Sequence, residues 1–175
     1  AFLRWCLVWI ILLPFTYKEI LKLKNQIKRN LSLFLILGST SVCVFTSLTY
    51  NALNYTQVIN ASLFNTAIPV TIILVCFLLK IEKTNIFQII GVILSFIGVI
   101  IIITKVDLEI LKNLDFNKGD LIMASGMISW ALYSALLKKK NYGVTQIALL
   151  EVVIIIGIVF LVPVYFLEIY FGNPL

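Results

Sequence analysis

Four residues that could bind a polar solute lie on one face of an apolar segment, residues 57–79. Ser62, Asn65, Thr66 and Pro69 are spaced i, i+3, i+4 and i+7, which puts them on the same side of a helix. Pro69 has no N–H group to donate to the carbonyl of Asn65. Polar groups in a membrane need a protein, water or ligand partner. The pattern therefore predicts a solute-cavity lining, with hydrogen bonding between helices and a proline kink as the alternative.

Aromatic residues form a second candidate group in the segment 120–137. Gly126, Trp130 and Tyr133 share one helical face at i, i+4 and i+7. Trp130 and Tyr133 are candidates for the same cavity. The alternative is close helix packing at Gly126 with the aromatic side chains anchored at a membrane interface. Asp120 at the start of this segment is predicted to cap the helix.

Two ionisable residues lie inside apolar runs, where an isolated charge is costly and is usually functional. Arg4 and Glu151 are therefore candidates for setting the charge preference of the cavity or for binding a coupling proton or ion. The alternatives are anchoring of Arg4 at the outer interface by its long side chain and an interfacial position for Glu151.

The composition excludes most other kinds of chemistry. Hydrophobic residues make up 61% of the 175 residues and charged residues 13%, which is unlike a soluble globular domain. The chain has no histidine, the commonest general base and metal ligand. Cys6, Cys43 and Cys76 lie in apolar runs without CxxC spacing, so we expect small buried side chains rather than a metal site or a disulfide. No metal and no cofactor is expected.

Apolar runs of nearly bilayer-spanning length recur along the whole chain. In lipid the backbone must satisfy its own hydrogen bonds, so each run is predicted to be a helix. The predicted fold is an all-α, polytopic transmembrane helix bundle with six helices. The runs cover residues 1–17, 31–50, 57–79, 86–104, 120–137 and 145–168.

The connecting segments alternate in charge, which predicts the orientation of the chain in the membrane. Segments 18–30, 80–85 and 138–144 carry most of the Lys and Arg residues. The positive-inside rule makes these three loops cytoplasmic. The net charge of +6 is then explained by orientation and anionic lipid, and no nucleic-acid partner is expected. The expected location is the bacterial inner (plasma) membrane.

A weak internal repeat links the first and sixth helices. Each begins with Ala-x-Leu and an ionisable residue, Arg4 or Glu151, and each reaches a proline near its far end, Pro14 or Pro163. Five helices separate equivalent positions, so the two copies have opposite orientations. This arrangement is typical of inverted-repeat transporters.

Residues 52–102 strongly resemble the EamA-type transporters of the drug/metabolite transporter superfamily, and residues 118–140 resemble the start of that family's second repeat. Arg4 matches an arginine early in the family's second helix, whereas Lys80-Ile81 replaces the usual Leu-Gly before Glu82. The other matching residues are Ala52, Leu53, Tyr55, Thr56, Asn60, Ala61, Asn65, Pro69, Gln88, Gly91, Gly98, Val99, Gly119, Asp120, Trp130, Ala131 and Tyr133.

The resemblance implies ten helices in two inverted five-helix repeats around a central cavity. Residues 1–105 would form the first repeat without its first helix. Residues 106–118 would be an extracytoplasmic connecting loop, and residues 119–175 would begin the second repeat. On this basis we expect a fragment of a longer protein.

The function predicted on these grounds is a secondary-type permease or exporter that moves small metabolites, amino acids or drug-like solutes by alternating access. The expected partners are the lipid bilayer and a small-molecule solute, with a coupling proton or ion and a second copy of the chain as further candidates. A non-transporting membrane scaffold is the first alternative. An intramembrane enzyme is the second, and it is disfavoured because no paired acids or nucleophile–base pair lie within the helices.

Overall fold

A computed structural model describes residues 2–81, 85–104, 117–139 and 144–170, and the elements assigned there are helical. The predicted connecting loop 106–118 falls almost entirely outside these residues. The elements are α1 (Phe2–Arg29), α2 (Leu31–Gly38), a π-helical segment (Ser39–Val44), α3 (Phe45–Leu53), α4 (Val58–Thr66), α5 (Ile68–Leu78), α6 (Ile86–Thr104), α7 (Lys118–Lys138) and α8 (Gln146–Tyr170).

Among the residues that the structure describes, three helical stretches are long and apolar enough to cross a membrane, namely Leu31–Leu53, Lys118–Lys138 and Gln146–Tyr170. Ile68–Leu78 and Ile86–Gly98 are apolar but shorter. The prediction of an all-α, polytopic membrane bundle is confirmed, and the chain is an integral membrane protein. Six crossings, like the division into two repeats, stay a prediction.

Helix α1 is longer than the sequence prediction, which ended it at residue 17 and made residues 18–30 a loop. The helix continues to Arg29. Its 28 residues extend about 42 Å at 1.5 Å per residue, more than a hydrocarbon core is thick. No proline or glycine follows Pro14 in this stretch, and Lys, Leu and Gln favour helix. The basic segment is therefore a helical extension, and its cytoplasmic position stays a prediction.

The predicted helix 31–50 contains a wide π turn in its middle. The Phe45 N–H bonds to the carbonyl of Thr40, five residues earlier, as π-helix requires. Hydroxyl groups at the start of this turn bond back to the backbone: Thr40 Oγ1 to the Ile36 carbonyl at 2.6 Å and Ser41 Oγ to the Leu37 carbonyl at 2.6 Å. Such back-bonding by Ser and Thr competes with the regular backbone ladder and bends helices.

The chain divides into two compact units, residues 1–47 with 136–175 and residues 48–135. In the first unit α8 packs against α1, α2 and the π-helical segment. Helix α8 passes α2 at glycines: a methyl group added at Gly157 would lie 2.9 Å from the Gly38 carbonyl oxygen. The core there contains buried Val42, Ile154 and Leu161.

The second unit is held by a smaller core between α3, α4 and α7. Ala52, Ala61 and Met123 are buried together, with Phe64 packed against them. Helices α4, α5 and α6 also contact one another. Ala61 and Phe64 are three residues apart, so they define the face of α4 that packs inward.

Candidate solute-binding site

The predicted helix 57–79 is interrupted at Ala67, which separates α4 from α5. The cause is Pro69, which has no N–H to donate to the Asn65 carbonyl. The helical turn that precedes Pro69 is tighter than an α-helical turn. The Ala67 N–H bonds to the Phe64 carbonyl at 3.0 Å, a three-residue step. The Ala67 carbonyl in turn accepts from the N–H and the hydroxyl of Thr71, both at 3.0 Å.

All four polar-face residues of the sequence prediction are exposed around this break. Ser62, Asn65, Thr66 and Pro69 have exposed side chains, whereas the neighbouring face of α4 is packed. The Ser62 hydroxyl donates to the Val58 carbonyl at 2.8 Å within its own helix. The structure therefore groups these residues, and their role as a cavity lining stays a prediction.

Trp130 and Tyr133 are neighbours on α7. Their ring centroids are 5.3 Å apart with an interplanar angle of 56°, a tilted aromatic pair. Tyr133 is buried and Trp130 is half-buried. Their face of the helix also carries Gly126, which is buried. The assignment of the aromatic pair to a cavity stays a prediction.

Asp120 has a larger structural role than the helix cap predicted from the sequence. Asn117 and Asp120 bond reciprocally, from each backbone N–H to the other side chain, at 3.2 and 2.9 Å. The other carboxylate oxygen of Asp120 accepts from the Thr56 hydroxyl at 3.1 Å. Gly119 permits this approach, because a methyl group there would lie 2.9 Å from the Ala52 carbonyl oxygen. The start of α7 is thereby fixed to the chain that follows α3.

The two ionisable candidates, Arg4 and Glu151, belong to the first unit and have opposite environments. Arg4 is exposed, and its guanidinium lies 5.4 Å from the centre of the Trp5 ring. This geometry agrees with a cation–π contact at the start of α1. Glu151 is completely buried in α8. In the described part of the chain, neither oxygen of its carboxyl group has a hydrogen-bond partner.

A contact that sequence patterns did not indicate joins α1 to the start of α8. The Glu19 carboxylate accepts from the Thr145 N–H at 3.0 Å and from its hydroxyl at 2.5 Å. The Thr145 hydroxyl also accepts from the Ala148 N–H at 3.3 Å, as an N-cap does. These bonds from Thr145, with a smaller effect of Lys22, lower the pKa of Glu19 below its ordinary value.

Glu19→Ala is expected to lower the melting temperature at neutral pH and to have no effect in acid. A depressed pKa in the folded state contributes stability above the unfolded-state value, here 4.5, and this stability is lost as the pH falls through the folded-state pKa. Thermal melts of both proteins in detergent across this pH range measure the difference. Glu168→Ala, near the other end of α8, is the control. A melting difference that persists in acid would contradict the role given to Glu19.

Comparison with known proteins agrees with this architecture. Residues 1–104 match the EamA-like transporter family. Over 158 residues the chain is 34% identical to the "Uncharacterized transporter YyaM" of Bacillus subtilis (strain 168), covering 90% of this chain and 50% of that protein. The chain thus spans about half the length of this curated relative. No solved structure matches it. With more than half of its residues matched, the chain belongs to the EamA-like transporter family.

Proposed function

We propose that this protein is a secondary carrier that moves small metabolites, amino acids or drug-like solutes across the bacterial inner membrane by alternating access. The exposed polar face at the interruption between α4 and α5 is the observation that carries the proposal. Interrupted transmembrane helices form the substrate and ion sites of many carriers, since their free backbone groups can bind a solute.

The chemistry of this face favours a neutral or zwitterionic polar solute. The Asn65 side chain offers one acceptor and two donors to such a solute. An exposed carboxamide facing lipid alone would lose its hydrogen bonds at a cost of several kcal/mol, whereas a water-filled passage satisfies it. Trp130 and Tyr133 are proposed as the apolar wall of the same cavity, and Arg4 as a determinant of the charge preference of the carrier.

Family membership supports transport without naming the solute, the direction or the coupling ion, because one fold serves many substrates. A carrier of this kind has the bilayer and a small-molecule solute as partners. A homodimer is part of the proposal as well. Repeat boundaries at residues 105 and 119 are proposed from the resemblance described above.

Asn65→Leu is expected to lower solute flux several-fold while leaving the folded protein intact. The leucine keeps the approximate size of the side chain and removes every hydrogen bond that it could make to a solute. Uptake of a mixture of radiolabelled common amino acids into proteoliposomes containing the full chain measures the effect. A second panel of drug-like cations extends the test to the other solute class.

Gln57→Leu is the matched control for that experiment. It removes another exposed amide at the start of α4, about 12 Å along the helix axis from Asn65, where no side-chain cap bond is made. Its flux should equal that of the parent protein. Unchanged flux in Asn65→Leu would contradict the cavity assignment and favour a scaffold or a passage elsewhere. Absence of flux in the parent protein with both panels would count against the carrier itself.

A further inference from the structure

Glu151 is the one acidic or basic residue in the described part of the chain that is completely buried and has no hydrogen-bond partner at either carboxyl oxygen. It lies in the second turn of α8, within the membrane-spanning stretch Gln146–Tyr170. Fully buried apolar residues follow it at Val153 and Ile154. An ionised carboxylate without a partner in such surroundings is strongly disfavoured, whereas the protonated acid is a neutral group.

The position of Glu151 relative to α1 can be worked out from two contacts at either end of the helix pair. Phe2 stacks on Tyr165 with ring centroids 4.9 Å apart, and Glu19 binds Thr145. The two helices are therefore antiparallel, and Glu151 is level with the turn of α1 between Leu12 and Thr16. The Thr16 hydroxyl is buried there and donates its proton to the Leu12 carbonyl at 3.1 Å, so it does not donate to Glu151.

Within the described residues, the helices packed against α8 provide no oppositely charged partner for Glu151. Helix α2 has no ionisable side chain, and the π-helical segment has only Cys43. On α1, Arg4 lies over Trp5 and Glu19 is bound to Thr145. The remaining ionisable groups of α1 and α8 are exposed or half-buried and are Cys6, Tyr17, Lys18, Lys22, Lys24, Lys28, Arg29, Tyr165, Glu168 and Tyr170.

We propose that Glu151 is a proton-binding site of the transport cycle, holding a proton while buried and releasing it when the cycle exposes the side chain to water. The inference rests on the carrier function proposed above. The step is an acid dissociation: the O–H bond of the carboxylic acid breaks, the proton passes to water and the carboxylate keeps the electron pair. No oxidation or reduction is involved.

A proton fits the site better than a metal cation or the transported solute. Hard cations take several oxygen ligands, whereas in the described part of the chain neither oxygen of this carboxyl group has a polar partner within hydrogen-bond distance. A solute needs a space to enter, whereas Glu151 has no exposed surface at all. A proton needs neither additional ligands nor space. Coupling by such a group follows if solute binding and protonation favour different conformations.

Infrared spectroscopy of the full chain in liposomes tests the protonation directly. The difference spectrum between the parent protein and Glu151→Gln at neutral pH should contain the carbonyl band of a protonated carboxylic acid. Glu151→Asp should shift that band rather than abolish it, which provides a second variant if the glutamine protein folds poorly. Glu168→Gln, in the same helix, should not remove the band. A difference spectrum with only ionised-carboxylate bands would overturn the proposal.

Transport assays in proteoliposomes distinguish the proton-binding role of Glu151 from the carrier function itself. Glutamine resembles the permanently protonated acid, so Glu151→Gln should still exchange labelled amino acids between the two sides of a proteoliposome. It should lose accumulation driven by an imposed pH gradient, down to the level of empty liposomes. Accumulation as strong as in the parent protein would overturn the coupling role. If no solute moves in any variant while the acid band is present, the carrier proposal fails and the proton site stands.

Discussion

Gly157→Val is expected to destabilise the first unit strongly, by about 3 kcal/mol at the upper end of the range for overpacking. Even a single added methyl group would lie 2.9 Å from the Gly38 carbonyl oxygen, and Val42 is on the same side. Backbone cannot rotate away as a side chain can, so α2 and α8 would have to separate. Their separation would also loosen the core formed by Val42, Ile154 and Leu161.

Gly91→Val is the matched control for this effect. Gly91 is also inside a helix, but in the described structure a methyl group added there would meet no atom within 4 Å other than those of its own stretch of helix. Both variants make the same change of residue type in an apolar helix, so their difference isolates packing. Unfolding in mixed detergent micelles, followed by circular dichroism, gives the free energies. Equal stabilities would show that the helices do not cross at Gly157.

Asp120→Ala is expected to destabilise the second unit by about 2 kcal/mol, because it removes a carboxylate that accepts from a buried hydroxyl and from a backbone N–H. The Thr56 hydroxyl and the Asn117 N–H both bond to this carboxylate, at 3.1 and 3.2 Å. Thr56 and Asp120 are each about nine-tenths buried, so water replaces the lost bonds poorly. The effect should be visible in the same unfolding assay.

A double-mutant cycle with Thr56→Val identifies the contact responsible. If the two side chains interact as described, Asp120→Ala should cost less in the Thr56→Val background than in the parent protein. Asp120→Asn keeps an acceptor oxygen and should be milder than Asp120→Ala. Additive effects of Thr56→Val and Asp120→Ala would contradict the hydrogen bond between them.

The sequence was sufficient to predict the helices, because lipid permits few backbone structures and apolar runs mark them plainly. The prediction for residues 86–104 agrees with the helix Ile86–Thr104. The resemblance to the family, carried by residues such as Asn65 and Pro69, is confirmed by the family match over residues 1–104. Hydropathy could not show that α1 continues to Arg29, because a basic amphipathic helix and a basic loop have similar compositions.

Contacts between distant segments were beyond the reach of sequence patterns. Glu19 and Thr145 are separated by 126 positions, and nothing in either local sequence indicates the other. The burial of Glu151 was also unpredictable, since its position near a helix end suggested an interfacial side chain. By contrast, the interruption at Ala67 follows from a local cause, the missing N–H of Pro69, although the sequence alone predicted a single helix over residues 57–79.

Water access to Asn65 tests the central claim most directly. In a full chain whose Cys6, Cys43 and Cys76 are replaced by alanine, Asn65→Cys should react with a membrane-impermeant maleimide in proteoliposomes. Leu94→Cys, an exposed apolar position of α6, should stay unreactive in lipid. A passage for solutes predicts this contrast between the two cysteines. Asn65→Cys as unreactive as Leu94→Cys would contradict it, since the polar face would then be turned towards lipid or sealed against protein.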